Sequence, residues 1–285
     1  YYLHEDLRSN LRTIFGSDST AFFLSPALPS SVTDGLEYDR DGHLHIDSIA
    51  GFGQATFHVT PTLSLTGGLR YTYEKKSVTV DGYSFGGATL PSALSPYRTA
   101  LLNNLGGTSG SAAGAYSISD SVNRGSWAWL ANPAWQVTPN VLLYASASYG
   151  EKSGAANTSA TATQASLVIT RPEKSTDFEG GIKSTWLDGK ATVNLNLYNN
   201  TIKDYQASRV DSTNATFGSY LANVGKVRLR GFELETSLRP IPALGFNFNA
   251  AYNDAKYLDY DDAPAPVEYQ VALGGASVPL SLTGY

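Results

Sequence analysis

Leu63-Ser64-Leu65-Thr66-Gly67-Gly68-Leu69-Arg70-Tyr71-Thr72-Tyr73-Glu74 reads as a strand with two unlike faces. Every odd position is apolar, aromatic or Gly, and every even position is polar or Gly. A period of two puts the apolar set on one face of a strand and the polar set on the other. Before it, Ile49, Gly51, Gly53, Ala55, Phe57 and Val59 alternate in the same way. Thr60-Pro61-Thr62 separates the two runs, and Pro suits a turn. The stretch from Ile46 to Lys76 is therefore a hairpin.

Three more hairpins follow. In Gly125 to Tyr149, Trp127, Trp129, Ala131, Trp135 and Val137 share one face, as do Val141, Leu143, Ala145, Ala147 and Tyr149. Thr138-Pro139-Asn140 is its turn. In Ser175 to Ile202, Phe178, Ile182 and Trp186 oppose Asp177, Glu179 and Lys183. Asp188-Gly189 is a hairpin signal, because a type I′ turn needs positive φ. In Val224 to Tyr257, Phe232, Leu234, Thr236 and Leu238 oppose Glu233, Glu235 and Ser237, and Phe246, Phe248, Ala250 and Tyr252 line the return strand. The phase is lost before Gly231, where Val227 and Leu229 fall on odd positions; a bulge near Gly231 is expected there.

These runs give eight strands, ten with the flanks. Each is about 9 to 14 residues, against roughly 9–11 for a tilted strand crossing a bilayer. Between them the pattern predicts loops at Leu7–His45, Ser77–Arg124, Glu151–Thr170, Lys203–Ala222 and Leu258–Val278. Short turns on one side and long loops on the other describe an outer-membrane β-barrel. Three Trp on one strand face would be a sticky patch in water, whereas Trp and Tyr form girdles at the headgroup level of a bilayer.

Composition agrees. The 285 residues include 27 Gly and 18 Tyr, only 16% are charged, and there is no Cys. Disulfide and thiol chemistry are thereby excluded. A net charge of −5 gives no electrostatic reason to expect nucleic acid. Mean hydropathy is −0.19, which suits a barrel whose strands spend half their side chains on a polar lumen. No leader is evident at Tyr1-Tyr2-Leu3-His4. Tyr285 is out of phase with Leu280 and Leu282, so the chain is expected to be cut at both ends.

Several segments resemble TonB-dependent outer-membrane receptors. They are Gly51-Phe52-Gly53-Gln54-Ala55-Thr56 with Leu65 to Lys76; Leu143 to Gly150 with Lys152-Ser153-Gly154; Pro172-Glu173-Lys174-Ser175-Thr176 with Glu179, Gly181, Lys183 and Asp188-Gly189; and Asn223-Val224-Gly225-Lys226 with Arg230 to Glu235. Glu151 and Ala155-Ala156 depart from the family pattern. The resemblance implies a barrel of about 22 strands filled by a plug domain, of which residues 1–285 would be part. It implies a Gram-negative outer membrane and import of a scarce ligand such as a ferric siderophore. TonB would supply the energy through the plug, and no cofactor is implied.

Candidate contacts are of two kinds. Arg70, Glu74, Asp177, Glu179, Lys183, Glu233 and Glu235 face the lumen, where they serve a ligand or simply a solvated wall. Tyr83, Phe85, Tyr97, Arg98, Tyr116, Tyr205 and Arg209 lie in the expected loops, and could stack on or pair with an anionic aromatic chelate or anchor the loops. His43-Leu44-His45 is a spaced pair lacking a third metal ligand, and Asp259-Tyr260-Asp261-Asp262 lacks the spacing of an EF-hand. No G-x-S-x-G, H-E-x-x-H or P-loop is present, so catalysis is not expected. A passive porin, an outer-membrane adhesin or enzyme, and a soluble sugar-binding sandwich are the competing readings. An open sheet with this apolar face is expected to aggregate in water.

Overall fold

A computed structural model describes residues 1–104, 115–158, 168–210, 219–261, 263–265 and 279–285. Its long strands are β1 (Tyr2–Ile14), β2 (Leu36–His58), β3 (Leu63–Gly86), β4 (Tyr116–Thr138), β5 (Val141–Lys152), β6 (Glu173–Trp186) and β7 (Ala191–Lys203). After two short strands, β8 (Gln206–Val210) and β9 (Ser219–Asn223), come β10 (Lys226–Ile241) and β11 (Leu244–Asp259). The sheet order is β1-β2-β3-β4-β5-β6-β7-β10-β11, an antiparallel meander in which β8 and β9 pair apart as a hairpin. Among the described residues the sheet does not close on itself. None of their helices is long and apolar enough to cross a membrane.

The expected turns stand. Thr60 Oγ1 accepts from the Leu63 amide at 2.9 Å and holds the first. Asp188 and Gly189 have φ of 54° and 86°, with the Lys190 amide bonding Leu187 O at 3.1 Å. Pro133 sits inside β4, where a strand normally needs its amide. The Asn132 side-chain amide donates to Ala145 O at 2.7 Å, the carbonyl opposite Pro133, and replaces the missing donor.

The strands run well past the predicted hairpins. β2, β3 and β4 have 23, 24 and 23 residues, so both ends of the expected loops Leu7–His45 and Ser77–Arg124 are strand. β1 continues to Ile14 and pairs with β2 along its whole length. The period of two also continues, but the faces exchange character. Up to Ile49 and Tyr73 the outward residues are apolar. Above that row they are Asp47, His45, His43 and Asp41 on β2, with Lys75, Ser77 and Thr79 opposite on β3. The inward set is now Leu36, Tyr38, Val78, Val80 and Tyr116. These pack with Phe15 and Val168, with Phe23 of α1 (Ser19–Phe23), and with Leu101 and Leu102 of α2 (Ser95–Asn104), forming a core inside the barrel mouth. Each such side chain, fully buried, contributes about 1.5–3 kcal/mol.

The same exchange accounts for Val227 and Leu229. The pairing of β10 with β11 is unbroken from Val227 to Leu238, so the bulge expected near Gly231 is absent; register shifts fall instead at the strand ends. Gly231 has a packing role. A Cβ there would lie 1.9 Å from the Tyr252 carbonyl oxygen and 2.7 Å from the Tyr198 hydroxyl. Tyr198 is its direct cross-strand partner, and Tyr116 lies across Gly82 and Tyr144 across Gly181 in the same way. Aromatic rings laid over strand glycines fill the missing side chain and pin register. Gly231→Ala is expected to cost about 1–3 kcal/mol by overpacking against backbone. Urea unfolding of the refolded barrel reads it, and an unchanged midpoint would remove the packing role.

The expected loop Lys203–Ala222 holds the β8–β9 hairpin. Val224, Tyr260 and Ala263 form a second small core with Tyr205 and Tyr257. Most of Leu258–Val278, and Asp262 of the acidic cluster, lie outside the described residues.

Candidate functional site

The inner wall carries the even positions of β3 and β4 and the odd positions of β6 and β10, by the cross-strand register. Near the mouth it opens into a cavity of about 340 Å³ lined by Tyr1, Ser48, Arg70, Glu74, Arg124 and Glu151, among others. Arg124 Nη2 meets Glu151 Oε2 at 3.0 Å, and Lys76 Nζ meets Glu74 Oε1 at 3.2 Å. Arg70 makes no ion pair among the described residues. Its guanidinium stands 5.4 Å over the Tyr1 ring, and its Nε donates to Thr72 Oγ1 at 3.0 Å.

The rim of this cavity is the Lys152-Ser153-Gly154 turn, and it is held from three sides. Buried Lys76 donates to Ser153 Oγ at 2.8 Å and to the Gly154 carbonyl, while Ser153 Oγ donates to Glu74. Lys152 pairs with Glu173 at 2.9 Å. Gln206 Nε2 donates to Ser153 O at 3.0 Å and Arg171 O at 2.9 Å, and its amide reaches Glu173 at 3.2 Å. A buried polar knot of this kind is rigid only when its members are satisfied.

Further round the wall, Tyr144, Lys183, Asn194, Asn196, Glu233 and Glu235 line a shallow recess of about 180 Å³. Lys183 Nζ lies 5.5 Å over the Tyr144 ring. Glu179 shares this face, opposite Tyr198 and Ser146. By register, Arg70, Glu74, Asp177, Glu179, Lys183, Glu233 and Glu235 thus share the polar face.

The loop candidates scatter. Tyr116 is a core residue at 9% exposure, and burial raises its phenol pKa above the ordinary value. Arg98 clamps backbone, donating to Val32 O, Ala88 O and Ser31 O at 2.7, 2.8 and 3.0 Å. Tyr97, on the same helix, is exposed. Tyr83 is outward on β3 and donates to Asp41 at 3.0 Å. Tyr205 packs on Tyr257, and Arg209 borders a small recess with Tyr220. No single site collects them. Sequence reading missed Tyr1, Arg124, Lys76 and Gln206, whose partners come from strands far away in the chain.

On the outer face, two imidazoles and two carboxylates form a closed ring. His4 Nδ1 and His45 Nε2 each lie 2.9 Å from Asp47; His4 Nε2 and His45 Nδ1 lie 3.1 and 2.7 Å from Asp6. Hydrogen bonding to Asp47 raises the His4 pKa, and bonding to Asp6 and Asp47 raises that of His45. His4 and His45 in turn hold the Asp47 carboxyl down at about 2.

An antiparallel meander of overlong strands, apolar outside and polar within, has its counterpart in known proteins. The profile of a family described as TonB dependent receptor-like, beta-barrel, matches residues 3–280. The chain belongs to that family. Its place is the outer membrane of Gram-negative bacteria, which settles the soluble-sandwich alternative against the apolar belt. Over 93 residues the chain is 33% identical to the ferric-pyoverdine M114 receptor PbuA of Pseudomonas sp. (strain M114), a match spanning 33% of this chain and 11% of that protein. The fold resembles the ferric yersiniabactin uptake receptor FyuA of Yersinia pestis, with TM-score 0.60 and 18% identity over 90% of this chain and 32% of the other. It also resembles the copper transporter OprC, with TM-score 0.51 and 15% identity over 80% and 36%. The chain therefore spans about a third of the solved proteins it resembles.

Proposed function

We propose that this barrel wall serves energised import of a ferric siderophore, with TonB acting through a plug domain seated in the lumen. Transport, not catalysis, is the activity. The carrying observation is Arg70. It is presented in the mouth cavity beside an aromatic ring, with its charge unmatched by a carboxylate among the described residues. A planar fork over an aromatic platform suits an anionic, partly aromatic chelate. The likeness to a ferric-pyoverdine receptor supports the same ligand class. Glu179 and Lys183 lie deeper on the wall and would contact ligand or plug. The loop residues Tyr83, Tyr97, Arg98, Tyr116, Tyr205 and Arg209 are weaker candidates, because most already have structural partners.

The test uses the full-length receptor. Arg70→Ala is expected to weaken ferric-siderophore binding roughly ten- to hundredfold, the loss of one charge-assisted contact of about 1.5–3 kcal/mol. Uptake of labelled iron should require TonB. Uptake that ignores TonB and admits unrelated small solutes would favour the passive pore instead.

A further inference from the structure

The outer-face ring of His4, His45, Asp47 and Asp6 is not explained by import through the lumen. It sits on the wall, one row above Tyr2, Ile49 and Tyr73, where the apolar belt ends. The register makes it. His4 faces Asp47 and Asp6 faces His45 directly across β1 and β2, and the i, i+2 spacing on each strand points all four the same way. The sequence pair His43 and His45 is not the unit; His43 lies a row higher, opposite Arg8.

The geometry points to a divalent transition-metal site on this outer wall, with His4 Nδ1, His45 Nε2 and the Asp47 carboxylate as protein ligands. One ligand atom from each of these residues lies within 4.8 Å of the others. Zinc takes nitrogen at about 2.0–2.1 Å and carboxylate oxygen at about 2.0–2.2 Å, so neighbouring ligand atoms stand roughly 3–4 Å apart and a small inward movement completes the set. Two imidazoles and a carboxylate suit zinc and its neighbours, and not magnesium or calcium. Water fills the remaining position, since His4 and His45 are about half exposed, at 48% and 42%.

Asp6 supplies the second observation. It accepts from the ring nitrogens that face away from Asp47, on both histidines at once. A carboxylate holding the far nitrogen of a ligating imidazole fixes its tautomer and orientation, and is the usual support of a zinc histidine. Tyr2 likewise donates to Asp47 Oδ1 at 3.1 Å. On binding, the metal replaces the two N–H protons that point at Asp47, and these leave to solvent. Lys75, opposite Asp47 on β3, and Arg8 are the nearby cations on this face; the two carboxylates balance the metal's charge. The bound ion would staple β1 to β2 at the membrane rim.

Co2+ is the probe. The full-length receptor, tag-free, chelator-stripped and in detergent, should bind one equivalent with the strong visible bands of a four-coordinate site, and Zn2+ should abolish them. His45→Ala and His4→Ala should each remove the bands, while His43→Ala should keep them. Asp6→Asn should weaken Co2+ binding roughly ten- to hundredfold with the band positions unchanged, as befits a positioning residue. Heat-modified mobility on gels confirms that each variant is a folded barrel. No saturable bands in the native protein, or bands that survive His45→Ala, would overturn the site.

Discussion

Leu69→Arg is expected to lower the barrel's stability by about 2–4 kcal/mol, whereas Thr66→Arg, three residues earlier on β3, should cost about 1 kcal/mol or less. Leu69 lies between Gly53 and Trp129 on the outward face, 53% exposed to what is lipid in the membrane. An arginine there must leave water for hydrocarbon or drag its head to the interface. Thr66 lies between Thr56 and Asn132 on the opposite face. It gives up only a 2.9 Å hydroxyl contact with Thr56, and its replacement stays in the wet lumen. Urea unfolding of both variants in lipid vesicles measures the difference. Equal losses, or a larger loss for Thr66→Arg, would mean that the two faces are wrongly assigned.

That contrast rests on a pattern that was legible in the sequence, because bilayer and lumen impose opposite demands on successive residues. The tops of the strands were not legible, although Val78, Val80, Val227 and Leu229 sit on regular strands. Above the headgroups the outer face meets water, while the inner face meets helix α2 and the returning loops. The apolar set therefore moves to the other parity. Read as a single run, the pattern loses phase, and the loss looks like a loop or a bulge.

The candidate site divides along the same line. Arg70, Glu179 and Lys183 could be placed on the lumen face from parity alone. Their neighbours could not, since Lys76 meets Gly154 and His4 meets Asp47 only through register that no local signal encodes. For Tyr116 and Arg98 the choice between ligand contact and structural anchor was not legible, for a chemical reason. An aromatic ring or a guanidinium has the same sequence signature whether it waits for a ligand or already fills a core or caps carbonyls.

The knot at the mouth makes the second large prediction. Lys76→Met is expected to cost about 3–5 kcal/mol, the usual loss when one partner of a buried pair is removed. The lysine is 6% exposed, and Glu74 beside it 19%. Methionine keeps most of the apolar stem but leaves the Gly154 carbonyl without the lysine donor and the Glu74 carboxylate with the Ser153 hydroxyl and no cation. If the penalty is that stranded charge, adding Glu74→Gln should return part of it, and the double variant should cost less than the sum of the singles. The knot also ties stability to function, because Ser153 both anchors to Lys76 and lines the cavity that holds Arg70. Amide exchange across residues 152–154 should therefore speed up in Lys76→Met. Ligand affinity should fall with it, even though Lys76 itself is buried behind the turn. A stability change under about 1 kcal/mol with unchanged exchange would show that Gln206 and Glu173 hold the turn without the lysine, and that the mouth is built from the loop side and not from the wall.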